Sequence, residues 1–224
     1  MGYNRYMFLN ILHKLKKVCP QGEFYIVGGT TRDFILKREV KDIDIATNLL
    51  PEDIKVAFPN GNYTFEKYGI SYVTIDGQKI TLATFREENN YRDFRHPTSI
   101  RFVSDYLTDS QRRDFTINAL YLDENGSILD PYGGLDDIKL GLIRTIGPAE
   151  ERIKEDPLRI LRAIRFSLNL NFHLDSDLYQ AIKKNKDLLK NLNEGKIQEE
   201  IAKTIPEKRE EMRQYLYLLI DKKM

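Results

Sequence analysis

A chain of 224 residues can hold one large domain or two small ones, and 41% apolar residues are enough for a real core. The 35 lysines and arginines nearly balance the 34 aspartates and glutamates, so any nucleic-acid contact must come from a local basic face, not a global field. The single cysteine, Cys19, excludes an internal disulfide framework and a cysteine zinc site; with no bilayer-length apolar run and no secretory signal, a soluble cytoplasmic protein with no membrane partner is expected.

In chain order, residues 5–18 have helical periodicity. Residues 24–27, Phe-Tyr-Ile-Val, read as a strand, broken by Gly28-Gly29 before Thr30-Thr31-Arg32-Asp33 opens a helix ending near Leu36. Paired glycines let backbone approach a ligand, and the unpaired N–H groups at a helix start favour an anion. Thr30 with Asp33 also matches a capping box, which alone would make the segment a capped helix after a tight turn. In Asp42-Ile43-Asp44-Ile45 the period-two alternation predicts a strand with both carboxylates on one face. Two such carboxylates repel unless a divalent cation lies between them, and magnesium, a hard ion held by one or two carboxylates plus phosphates, fits best. A calcium loop would need a longer acidic series with a central glycine and a distal glutamate. A solvated acidic edge strand is the reading without a ligand.

A short helix follows at 51–57, then strands at 70–75 and 79–85 joined by the Asp76-Gly77 hairpin signal. Residues 86–98, containing Arg92-Asp93-Phe94-Arg95-His96-Pro97, have neither period and read as a polar loop of functional length. With only His13, His96 and His173 present, a histidine-based hydrolase has few sources for its base, and His96 is the one in a suggestive setting. From Arg112 the chain reads RRDFTINALYLDENGSILDPYGG, with a second hairpin signal at Asn125-Gly126 and a break at Gly133-Gly134. Beyond Gly147 strand signals give way to helical patterns at 157–168, 175–189, 197–205 and 207–220. The expected organisation is α+β, with residues 1–147 as an α/β domain and 148–224 as a helical one.

The second domain carries Glu155-Asp156-Pro157-Leu158-Arg159-Ile160-Leu161-Arg162. Asp156 suits an N-cap and Pro157 the first helical position. Asp156 and Arg159, three apart, can also share a face and offer an acceptor and donors to the pairing edge of a base. A carboxylate accepts from the exocyclic amine of cytosine or adenine, while guanine and uracil present carbonyls there.

Gly28-Gly29 with Arg32-Asp33, Asp42-x-Asp44, Arg112-Arg113-Asp114-Phe115-Thr116-Ile117-Asn118-Ala119 and Glu155-Asp156-x-x-Arg159-x-x-Arg162, in this order, resemble the bacterial-type (class II) tRNA nucleotidyltransferases, meaning the CCA-adding enzymes and their poly(A) polymerase relatives. The resemblance, over roughly residues 20 to 200, implies a polymerase-beta-like nucleotidyltransferase head, a mixed sheet with flanking helices, followed by an all-helical neck, with body and tail regions largely missing. It implies template-independent addition of C, C and A to the tRNA 3′ end from CTP and ATP with release of pyrophosphate. Poly(A) synthesis or partial (CC- or A-) addition is the alternative, and small-molecule nucleotidyl transfer or non-catalytic RNA binding lies further off. Asp42 and Asp44 would hold Mg2+ and serve catalysis; Gly28, Gly29 and Arg32 would hold the triphosphate. Arg113, Asp114 and Asn118 would position triphosphate and ribose, Asp156 and Arg159 would select the base, and Arg162 would support them. Asp93, Arg95 and His96 would belong to a flexible loop linked to the change from C to A addition. Two departures stand out: Thr81 occupies a position that is commonly acidic in the family, and the sequence stops at Met224 with an apolar Tyr215-Leu216-Tyr217-Leu218-Leu219-Ile220 ending. The ending suggests a shortened protein or fragment, or a homodimer through the C-terminal helices.

Overall fold

The computed structural model describes residues 5–91 and 97–220. Asp93, Arg95 and His96 lie outside the described residues. Contact density divides the chain into two compact units, one built from the chain up to residue 89 with 99–113 and 117–135, the other chiefly from 114–116 and residue 136 onward. The division therefore falls earlier than residue 147.

The first unit is organised by a six-stranded mixed sheet. Its strands are β1 (Phe24–Val27), β2 (Ile43–Thr47), β3 (Ile70–Ile75), β4 (Gln78–Thr84), β7 (Tyr121–Leu122) and β8 (Ile128–Leu129), in the order β3-β4-β2-β1-β7-β8. β2 runs parallel to β4, while β1 is antiparallel to both β2 and β7. The alternation in β2 sends Ile43 and Ile45 into the core at 1% and 0% exposure and leaves Asp42 exposed and Asp44 half-buried. Helix α1 (Arg5–Val18) lays Phe8, Ile11, Leu12 and Leu15 on that apolar face against Ile26, Ile45 and Leu82. Each fully buried aliphatic side chain of this kind contributes about 1.5–3 kcal/mol, so the core fixes the strand that carries the two aspartates. Val27, Ala46, Phe85 and Tyr121 form a second apolar cluster, joined by Tyr25 and Tyr106.

Two local expectations change. Helix α2 (Gly28–Ile35) begins at Gly28, its N-cap Val27 makes no side-chain cap, and the Thr30 hydroxyl bonds elsewhere, so there is no capping box. The described part of the expected loop is strand, since β5 (Arg86–Tyr91) and β6 (Pro97–Phe102) pair as a two-stranded sheet. The apolar alternation that marks a half-buried strand is missing because charged pairs take its place: Arg101 of β6 pairs across the strands with Glu87 at 2.7 Å, and Arg86 pairs along β5 with Glu88 at 2.7 Å. Helices α3 (Pro51–Ala57) and α4 (Tyr106–Gln111) complete this unit, and α5 (Gly134–Leu140) follows.

From residue 136 onward the described part of the second unit is helices with a short parallel strand pair, β9 (Leu142–Ile143) with β10 (His173–Leu174). Its helices are α6 (Ala149–Glu155), α7 (Leu158–Leu170), α8 (Ser176–Asn185), α9 (Glu194–Lys203) and α10 (Arg209–Ile220). Leu158, Ile160, Leu161, Ile164 and Leu168 make α7 the buried centre of the bundle. Among the described residues no helix is long and apolar enough to cross a membrane.

Candidate active site

The strand-turn-helix formed by β1 and α2 sets the first group of polar side chains. Gly28 has φ +67°, a left-handed conformation that a Cβ would strain, and this turn starts α2 directly off β1. The turn brings the Thr30 hydroxyl beneath the acidic strand, where it donates to the Asp42 carbonyl at 2.9 Å and accepts from the Asp44 amide at 3.1 Å. The glycine turn and the aspartate pair are thus one rigid piece. One turn along α2, Arg32 is 7% exposed; its Nη1 donates to the Asn118 side-chain oxygen Oδ1 at 2.6 Å, and its guanidinium pairs with Asp33 at 2.8 Å. Gly29 is close enough that a Cβ there would stand 3.5 Å from Arg32 Nη2.

Asp44 sits opposite Thr81 in the parallel register of β2 and β4. Its carboxyl is pushed above the usual carboxylate range, chiefly by burial and also by the nearby Asp42 charge, while the Thr81 hydroxyl and Arg113 act the other way. Thr81 thus supplies a neutral hydroxyl to Asp44. Among the described residues no group of three or more His, Cys, Asp or Glu side chains could hold a metal. Hard oxygen donors, one half-buried and destabilised by its neighbour's charge, fit a divalent cation, because a bound cation would remove the repulsion.

Arg113 completes this side. Its Nη1 lies 3.7 Å from where a Cβ on Gly28 would stand, its Nε donates to the Tyr121 hydroxyl at 2.7 Å, and its Nη2 donates to Asp109 at 3.0 Å. Asp109 is fully buried and also accepts from Arg112 Nε at 2.9 Å, the Tyr121 hydroxyl at 2.9 Å and the Arg86 amide at 3.2 Å. Burial works against its charge, but Arg112 and Arg113 prevail and hold its carboxyl at about 2. Asp109 and Tyr121 escaped the motif reading. The available signal was spacing, since Asp109 lies three and four residues before the two arginines on one helical turn.

The remaining candidates lie in the second unit. The Asp114 carboxylate does not join the Arg113 cluster: its Oδ2 accepts from Arg162 Nε at 2.8 Å and Nη2 at 2.5 Å, and its Oδ1 accepts from the Phe115 amide. Burial opposes the Arg162 charge, yet Asp114, Glu200 and Asp156 hold its pKa above the ordinary arginine value. Pro157, expected as the first helical residue, stands instead at the N-cap of α7, and the Asp156 side chain one residue earlier accepts from the Leu158 amide at 3.0 Å. Arg159 is 4% exposed, and its Nη1 donates to the Arg152 carbonyl at 2.6 Å and Glu155 at 2.8 Å. Arg159 is therefore a fixed guanidinium and not a mobile surface cation.

Comparison with known proteins gives a consistent picture. The family model for the poly A polymerase head domain matches residues 24–144. A CCA-adding enzyme from Lactobacillus johnsonii is 42% identical over 198 residues, covering 88% of this chain and 50% of that protein. The chain thus spans about half the length of the curated relatives it matches. The crystal structure of the Bacillus stearothermophilus CCA-adding enzyme in complex with CTP superposes with a TM-score of 0.78 at 37% identity, covering 91% of this chain and 48% of that one. The Thermotoga maritima CCA-adding enzyme complexed with tRNA gives a TM-score of 0.74 at 26% identity, covering 95% and 50%.

Proposed function

The chain belongs to the poly A polymerase head domain family, and from that membership and the geometry of its polar clusters we propose that it is a nucleotidyltransferase adding C, C and A to the 3′ end of tRNA from CTP and ATP. The observation that carries the reading is the convergence of the left-handed Gly28 turn and Arg32 of one strand-turn-helix with the neighbouring strand of Asp42 and Asp44, tied to it through the Thr30 hydroxyl, and with Arg113, whose Nη1 comes up to Gly28. Relatives that share this region are CCA-adding enzymes, one of them in complex with CTP and another with tRNA.

In this reading Gly28 and Gly29 let the backbone come up to the triphosphate, and Arg32 and Arg113 neutralise it. Asn118, fixed by its bond to Arg32, faces the sugar. Asp42 and Asp44 would hold Mg2+, which when bound would supply positive charge to the attacking 3′ hydroxyl and the departing pyrophosphate. The contribution of the side chains is positioning and a fixed electrostatic environment, and no side chain need become covalently attached. Asp156 accepts from the exocyclic amine of cytosine or adenine while Arg159, locked by Glu155, donates to the ring edge, and Arg162 steadies them. In this reading the protein works in the cytoplasm. Pairing through the C-terminal helices is supported by the exposed Tyr215, Tyr217 and Leu218 of α10 and is tested by sedimentation.

The test of the function is extension of a tRNA that ends before its CCA, with magnesium and each nucleoside triphosphate alone and together. Addition of C, C and A followed by arrest, with UTP and GTP refused, bears out the proposal. Long A tracts would assign poly(A) synthesis, and no extension would leave an RNA-binding module.

A further inference from the structure

The ring formed by Asp109, Tyr121 and Arg113 is closed. Arg113 Nε donates to the Tyr121 hydroxyl at 2.7 Å, that hydroxyl donates to Asp109 Oδ2 at 2.9 Å, and Arg113 Nη2 donates to the same oxygen at 3.0 Å. The Arg113 guanidinium also lies over the Tyr121 ring, 4.9 Å from its centroid. A planar cation held along one edge by two acceptors and on one face by an aromatic ring has a single orientation, and its corner nearest Gly28 is Nη1. The carboxylate at the base of the ring is itself immobile: its other oxygen accepts from Arg112 Nε and the Arg86 amide, and the whole group is inaccessible to solvent. Neither Asp109 nor Tyr121 can reach a ligand, since both are fully buried.

We propose that Asp109 and Tyr121 are positioning residues, which aim Arg113 at the phosphates of a nucleoside triphosphate lying over the Gly28 turn. The proposal rests on the nucleotidyltransferase reading of that turn. An arginine is a long, mobile side chain, and fixing it before the ligand arrives removes the ordering cost from binding. A free arginine would bind the same phosphates less tightly. Burial pushes the Tyr121 hydroxyl above its ordinary pKa, which keeps it protonated and able to donate to Asp109 across the working pH range.

Tyr121→Phe separates positioning from packing, because phenylalanine keeps the ring under Arg113 and removes only the hydroxyl. Binding of a non-reacting CTP analogue with a methylene between the α and β phosphates is measured by calorimetry with magnesium and no tRNA. The core variant Ile54→Val, which thins the packing away from the arginines, serves as the stability control. Expected is about a tenfold weaker affinity for Tyr121→Phe and unchanged affinity for Ile54→Val, whatever their melting temperatures. Equal affinity of Tyr121→Phe and wild type would overturn the positioning role while leaving the nucleotide site intact. Wild type that takes up no analogue would instead bring down the nucleotidyltransferase reading, and this inference with it. A second measurement on the wild-type protein needs no variant fold: the Arg113 Nε–H nitrogen signal should resist solvent exchange before the analogue is added and move when it is. Rapid exchange in the ligand-free protein would refute the preset orientation.

Discussion

Replacing Asp109 by asparagine removes one charge and almost no volume from the buried cluster. The carboxyl is held at about 2 against an ordinary value of 3.8. At about 1.4 kcal/mol per pH unit, ionised Asp109 contributes about 2 kcal/mol to the stability of the first unit. Removing one partner of a buried ion pair can cost about 3–5 kcal/mol when the other charge is stranded. Here Arg112 keeps Glu88 at 3.5 Å and Arg113 keeps the Tyr121 hydroxyl, so the lower figure applies. The sign follows from a depressed folded-state pKa: the stabilisation is complete above 3.8 and is lost as pH falls through about 2. Denaturant melts followed by tyrosine fluorescence, in a chain with no tryptophan, should show Asp109→Asn about 2 kcal/mol less stable at pH 7. The gap should shrink below pH 3.8 and close near pH 2. A gap that stays constant down the acid range, or none at neutral pH, would refute the electrostatic origin of the cluster's stability.

Other consequences are as specific. Gly28→Ala forces a side chain into a left-handed turn and should cost about 1–2 kcal/mol by calorimetry, with weaker CTP binding; an unchanged melting temperature would mean the turn can relax to negative φ. Thr30→Val removes the hydroxyl that bridges the Asp42 carbonyl and the Asp44 amide, and should cost about 1–3 kcal/mol, together with a higher magnesium requirement that Thr30→Ser restores. Arg162→Lys exchanges a fork that donates twice to Asp114 Oδ2 for a single ammonium, and should destabilise the second unit by about 1 kcal/mol in urea melts.

The parts of the fold legible from sequence were those written in short-range periodicity. The Asp-Ile-Asp alternation appears as β2 with buried isoleucines, and the Asp76-Gly77 turn joins β3 to β4 with Asp76 at φ +51° and Gly77 at φ +76°. What was not legible depends on partners distant in the chain. Arg86, Glu87 and Glu88 look like loop residues until Arg101 and Arg112 are brought opposite them. Thr30 looks like a helix cap until β2 arrives twelve and fourteen residues later to take its hydroxyl. Within the candidate site, the glycines, the aspartate pair and Arg32 stand out as motifs in the sequence, because each motif is local. Asp109 carries no motif of its own, and its importance lies in four donors converging on it. Asp114 shows the converse: it adjoins Arg113 in sequence, yet its carboxylate bonds to Arg162.

In the proposed site Asp42 and Asp44 share a divalent cation. Binding of Mn2+, a paramagnetic stand-in for magnesium, measured by electron paramagnetic resonance with and without the non-reacting CTP analogue, tests it most directly. Wild-type protein should bind the ion, more tightly with the analogue present, and Asp42→Ala should lose that binding while keeping its circular dichroism spectrum. An Asp42→Ala protein that binds Mn2+ as tightly as wild type would contradict the claim.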